Sequence, residues 1–134
     1  MAGLTTLTQL RQLLLARPEV EALVGDRIRP MGRKKQNETL PVVTLLRVSS
    51  RRWPTFGKEY GHVDTVVQVD CYSRTERQAL ELAEQVRLAL QLENVGGAEA
   101  PTIRGTFLNT ERDWFEEETE TFRILQQWNI HHTE

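Results

Sequence analysis

Between His62 and Leu90 the apolar residues change period, and that change constrains the fold more than any other feature of the chain. Val63, Val67, Val69 and Cys71 fall on one side of an extended segment, with His62, Asp64, Gln68, Asp70 and Tyr72 on the other. This is the two-residue repeat of a half-buried strand. Ala79, Leu82, Ala83, Val86, Ala89 and Leu90 then recur at three- and four-residue spacing, which predicts an amphipathic helix over about 74–92. Ser73-Arg74-Thr75-Glu76 at the junction has the form of a capping box, with the Ser73 hydroxyl accepting from the third helical amide and Glu76 reaching back. A helix with one apolar stripe next to a strand with one apolar face predicts a helix laid across a sheet.

The remaining elements arrange themselves around that pair. Leu7, Leu10, Leu13 and Leu14 predict a helix over 4–16, with Thr5 or Thr6 as cap and Arg17-Pro18 as its end. A short second helix follows from Pro18, with Val20, Leu23 and Val24 inward and Gly25 stopping it. Arg27–Pro30 suits a short edge strand and 41–49 a strand rich in β-branched residues. Ile103, Phe107 and Leu108 mark a strand over 102–109 with Gly105 as a bulge, and 94–101 reads as a turn region. Phe122, Ile124, Gln126, Trp128 and Ile130 alternate with polar neighbours along a last strand, 121–132. The segments 31–39 and 49–61 lack periodicity and read as basic loops, the second with Trp53 and Phe56. The fold class expected is α+β: a largely antiparallel or mixed sheet on one main helix, with two N-terminal helices, all in one domain over 1–134.

Charge is distributed unevenly. Residues 27–58 carry nine Lys or Arg against Glu38, a local charge of +8, whereas 59–134 carry six Arg against fifteen acids, −9, in a chain whose net charge is −2. Such asymmetry points to a partner: nucleic acid, an acidic protein surface or another copy of the chain. The candidate basic surface is Arg33, Lys34, Lys35, Arg51, Arg52, Trp53 and Lys58. The candidate acidic surface is Glu111, Asp113, Glu116, Glu117, Glu118 and Glu120, read as a solvated loop segment before the last strand. The basic loops with Trp53 suit phosphate binding and base stacking, but no nucleic-acid-binding signature accompanies them. A basic and an acidic patch on one chain also suit a head-to-tail contact between copies, of the kind that closes into rings.

No enzymatic constellation emerges. The motifs GxSxG, HExxH, CxxC and the phosphate-binding loop are missing from the sequence. Cys71 is the one cysteine, so no disulfide forms within the chain, and its inward position suits a small buried hydrophobe. His131 and His132 are adjacent on a strand, point to opposite faces and so cannot share a metal; they read as a frayed end. Acids spaced along one segment do not make a glycosidase pair. No apolar run approaches the ~18 residues of a membrane span, the first fifteen residues lack the basic start of a signal peptide, and the Asn37 sequon is read as incidental. No cofactor, metal or membrane is expected.

Four stretches together resemble the tail-completion, or tail-terminator, proteins of long-tailed bacteriophages, prophages and gene-transfer particles. They are Glu19-Val20-Glu21-Ala22-Leu23-Val24-Gly25-Asp26-Arg27-Ile28, then Leu40-Pro41-Val42-Val43-Thr44. The third is Val67-Gln68-Val69-Asp70-Cys71-Tyr72-Ser73 with its helix, and the fourth runs from Asn109-Thr110-Glu111-Arg112-Asp113 to Phe122-Arg123-Ile124 and Trp128. The resemblance implies a structural virion protein without catalytic residues, assembled in the bacterial cytoplasm as a ring, a hexamer in the family. That ring sits at the head-proximal end of the tail, in contact with the tail tube protein and a head connector or stopper, with DNA as a further contact in the lumen. It also implies structural roles for Gly25, for Asp70-Cys71 and for Glu111-Arg112-Asp113.

Overall fold

The computed structural model describes residues 2–29, 39–53, 62–91, 93–95 and 103–133. Strand β3 (His62–Ser73) and helix α3 (Glu76–Leu90) are the strand and helix that the change of period predicts. Val63, Val67, Val69 and Cys71 are buried on one face of β3, and α3 buries the six apolar residues of its stripe. The cap is Thr75 and not Ser73: Thr75 Oγ1 accepts from the Gln78 amide at 3.2 Å. Ser73 is the last residue of β3, paired with Phe122, so the helix starts two residues later than the capping-box pattern requires. Its buried hydroxyl donates to Gln78 Oε1 instead.

Helix α1 (Ala2–Ala16) begins before Thr5 and Thr6, so neither caps it. Helix α2 (Pro18–Val24) ends at Gly25, whose φ of 59° suits a residue without Cβ and whose N–H bonds to Glu21 O at 2.7 Å. The chain then enters β1 (Ile28–Arg29), which pairs parallel with β2 (Val42–Arg52). The Leu40–Pro41 peptide bond before β2 is cis. Strands β4 (Glu93–Val95), β5 (Ile103–Glu116) and β6 (Thr121–Thr133) complete one six-stranded sheet in the order β1-β2-β3-β6-β5-β4. Every pair except β1–β2 is antiparallel, so the sheet is mixed and the fold is α+β.

The structure departs from the sequence expectations at four further places. The basic loop expected over 49–61 starts later, because Ser49–Arg52 still belong to β2 and pair with Val66–Val63. A bulge between Arg47 and Ser49 breaks the alternation that would have marked them. The acidic segment is not a loop: β5 continues past Asn109 to Glu116 in register with β6, and only Glu117–Glu120 form the turn. Its acids are tolerated in a strand because that part of β5 is solvent-exposed on both faces. The turn region expected over 94–101 overlaps the last two residues of a small strand, β4. Finally, the end of β6 is not frayed: His132 is buried, with its Nε2 2.8 Å from Thr65 Oγ1. The register shift at Gly105 is the expected bulge.

The three described helices lie on one face of the sheet. Leu10, Leu14, Val20 and Val24 join the α3 stripe and the inward residues of β2, β3 and β6 in one core cluster. The fully buried Trp128 sits in it beside Gln126. Gln126 donates to Ala83 O at 2.9 Å and to Glu111 Oε2 at 2.7 Å, and accepts from Trp128 Nε1 at 3.0 Å. One buried amide thereby ties α3, β5 and β6 together with its polar atoms satisfied. No described helix covers the opposite face, which carries Asp64, Gln68, Arg123, Gln127 and His131.

Candidate assembly surfaces

The charge asymmetry of the sequence becomes a spatial one. Arg47, Arg51 and Arg52 lie on the C-terminal half of β2, and Glu111, Asp113 and Glu116 on the C-terminal half of β5. The strands β3 and β6 stand between them, so the two sets occupy opposite flanks of the sheet, three strand spacings or about 14 Å apart laterally, and they are also displaced along the strands, Arg51 being level with Gly105 and Asp113 with Val43. They do not meet within one chain.

On the basic flank the Arg51 guanidinium sits over the exposed Trp53 ring, 4.9 Å from its centroid. The indole N–H donates to Asp64 Oδ2 at 2.6 Å, and Asp64 also pairs with His131. Trp53 is therefore fixed against the sheet end with one ring face given to an arginine. Arg33, Lys34, Lys35 and Lys58 lie outside the described residues.

On the acidic flank Glu111 is held by Gln126, and Glu116 accepts from Thr119 Oγ1 at 3.2 Å and faces Arg123 at 3.7 Å. Asp113, Glu117, Glu118 and Glu120 are exposed. Glu120 closes the turn at a φ of 49°. Apolar surface accompanies the charge: Phe107, Trp114 and Phe115 on β5 are 58%, 53% and 45% exposed. A shallow cleft of about 230 Å³ lies where Trp114 and Phe115 approach Leu80 of α3. Exposed aromatics concentrated on one strand are unusual for a surface that stays in water. Sequence reasoning missed Trp114 and Phe115 because both fall in the acidic segment that it read as a loop.

It also missed an ion pair with a buried carboxylate. Asp70 is buried on the helix-free face, where Arg123 Nη2 reaches its Oδ2 at 3.0 Å. Gln68 Nε2 donates to both its oxygens, at 3.3 and 3.0 Å, and Thr44 Oγ1 approaches at 3.5 Å. The Arg123 head stacks over Tyr72, 5.3 Å from its centroid. Burial works against the charge on Arg123, but the Asp70 carboxylate outweighs it and holds the guanidinium's pKa above its ordinary value. The available signal was that Asp70 and Arg123 both fall on the polar side of their strands.

The one cysteine is closed to covalent chemistry. The Cys71 thiol is fully buried, and burial foremost, then the charges of Asp70 and Glu111, push its pKa up and keep it protonated. Among the described residues no three His, Cys, Asp or Glu side chains gather as a metal site would require. An open cleft of about 420 Å³ at the sheet end is lined by Trp53, Asp64, Arg104, His131 and their neighbours, with no Ser, Thr, Cys or Lys among its described lining residues.

The fold and these surfaces define a small α+β module whose exposed features suit association. It is matched over residues 8–133 by the model of the family described as Tail completion protein gp17, and the chain belongs to that family. A chain from the virion of a native gene transfer agent particle shares the fold, with a TM-score of 0.71 at 16% identity, over 93% of this chain and 92% of that one. No curated protein matches the chain. Membership of that family makes the protein a structural component of a phage-type tail, located in the virion.

Proposed function

We propose that the protein is a tail terminator: a single-domain subunit, spanning 1–134, of a ring that caps the head-proximal end of the tail tube, a hexamer as in the family it resembles. A tube end offers unsatisfied surfaces to the next tube subunit. The ring covers them, offers a different face upward, ends polymerisation and presents that face to the head connector. No covalent step is required.

The observation that carries this reading is the placement of opposite charge on opposite flanks of one sheet in a member of a tail-completion family. A subunit with complementary flanks contacts two neighbours at once, which makes ring formation cooperative. The candidate surfaces are Arg33, Lys34, Lys35, Arg51, Arg52, Trp53 and Lys58 against Glu111, Asp113, Glu116, Glu117, Glu118 and Glu120.

Electron microscopy of particles made without the gene tests the proposal. Overlong, headless tails are the expected result. Tails of normal length that fail to join heads would move the protein to the neck as a joining component. Intact infectious particles would remove both structural roles and direct attention to DNA binding by the basic residues.

A further inference from the structure

Both flanks of the sheet end in backbone that no described strand covers. On one flank β1 reaches only Val43 and Thr44 of β2, so the outer edge from Leu46 to Arg51 has no strand beside it among the described residues. On the other, β4 reaches only Ile103 and Gly105, which leaves Phe107–Glu116 of β5 as a ten-residue edge. Open edges are templates for strand pairing, and proteins that stay monomeric blunt them with proline, inward charges or brevity. The β5 edge is long, contains no proline and no lysine, and exposes Phe107, Trp114 and Phe115.

We infer that the β5 edge of one copy pairs with the β2 edge of the next, so that the sheet continues from subunit to subunit around the ring. The inference rests on the ring-forming reading above and names its contact. Three features select this partner. The first is charge. Leu46–Arg51 and the adjoining Arg52 carry three arginines and no acid, whereas Phe107–Glu120 carries six acids and one arginine. Pairing β5 with β5 sets acid on acid, and β2 with β2 sets base on base; only the head-to-tail contact joins opposite signs.

The second feature is direction. Because β2, β3, β6 and β5 alternate, β2 and β5 run oppositely within a copy. Rotation about a ring axis running along the strands preserves direction, so β5 meets the neighbouring β2 antiparallel, with the perpendicular hydrogen bonds of the existing sheet. The third is stagger. Arg47 stands level with Val67, Trp128 and Leu108 across the sheet, while Glu111 and Asp113 pair with Gln126 and Ile124, two and four ladder positions farther along, because the bulge between Leu108 and Thr110 takes up one residue. Setting Arg47 against Asp113 therefore needs an offset of four ladder positions per copy. A closed barrel needs such an offset: about one residue per strand at a tilt of ~36°. Each copy contributes four long strands.

Two charge-reversed variants test the contact in the full chain, expressed from a plasmid in cells producing particles that lack the chromosomal gene. The first, Arg47→Glu/Arg51→Glu, gives two acidic flanks; the second, Asp113→Lys/Glu117→Lys/Glu118→Lys, gives two basic ones. All five side chains are solvent-exposed, and circular dichroism and thermal melting of each purified variant check that it folds. Either variant alone should lower the infectious titre at least a hundredfold relative to wild type. The two together should restore it to within tenfold, since copies then alternate with opposite flanks in contact. A wild-type titre from either variant alone, or no rescue by folded variants together, overturns the strand contact. If deletion lowers the titre and wild type restores it, but the pair does not, only the contact falls. If deletion leaves the titre unchanged, the terminator reading falls with it.

Discussion

At the residue scale the Asp70–Arg123 pair sets the order of the helix-free face. A buried carboxylate is tolerated only when its partners satisfy it, and Asp70 draws on Gln68, Thr44 and Arg123 from three strands. The Asp70 side chain is 2% exposed and that of Arg123 25%, so the two partners are unequal. Arg123→Leu leaves a carboxylate in the sheet without its cation. We expect a loss of about 2–3 kcal/mol, less than a fully buried pair would give because water reaches the site. Asp70→Asn leaves a cation that can turn outward, and should cost about 1–2 kcal/mol. Urea denaturation of both variants measures the difference; losses below about 0.5 kcal/mol in each would mark the pair as surface decoration. The sequence placed both residues on the polar sides of their strands but not on adjacent strands at one level. Cys71 was more legible, because a small apolar side chain between Val69 and the start of α3 has one environment available.

At the scale of elements, α3 shows where local pattern misleads. Ser73 and Thr75 both precede the helix and either hydroxyl could cap it. Pairing of β3 with β6 decides between them, because Ser73 is still in register with Phe122. That constraint comes from fifty residues away and leaves no local trace. Since Thr75 Oγ1 takes the Gln78 amide, Thr75→Ala should destabilise by about 1 kcal/mol and Thr75→Ser by only a few tenths. Equal stability of the Ala and Ser variants in chemical denaturation would show that the hydroxyl contributes nothing. The same kind of constraint explains the missed length of β5. Glu111, Arg112 and Asp113 have poor strand propensity, but β6 offers them an extended partner and solvent bathes both their faces. The apolar periods of β3, β6 and α3 were readable because each buries a continuous face. The far halves of β2 and β5 were not, because a bulge or an exposed edge removes the period there.

At the scale of the whole molecule, the charges separated along the chain are also separated across the sheet, and this has a kinetic consequence. Flanks of opposite sign attract approaching copies in the head-to-tail orientation and repel them in the symmetric ones, so charge acts mainly on the rate and selectivity of encounter. Once strands pair, backbone hydrogen bonds and burial of aromatics such as Phe107 hold the contact, and these respond weakly to salt. The Debye length falls from about 10 Å at 0.1 M to about 3 Å at 1 M salt. Raising NaCl from about 0.05 to 0.5 M should therefore slow association of purified subunits at least tenfold, while dissociation changes less than about threefold. Stopped-flow light scattering for assembly and dilution for disassembly separate the two rates. An association rate indifferent to salt would mean that the charged flanks face other partners, such as the tube or the connector. Faster association in high salt would mean that apolar surface alone drives the encounter and that the arginines of β2 play no part in it.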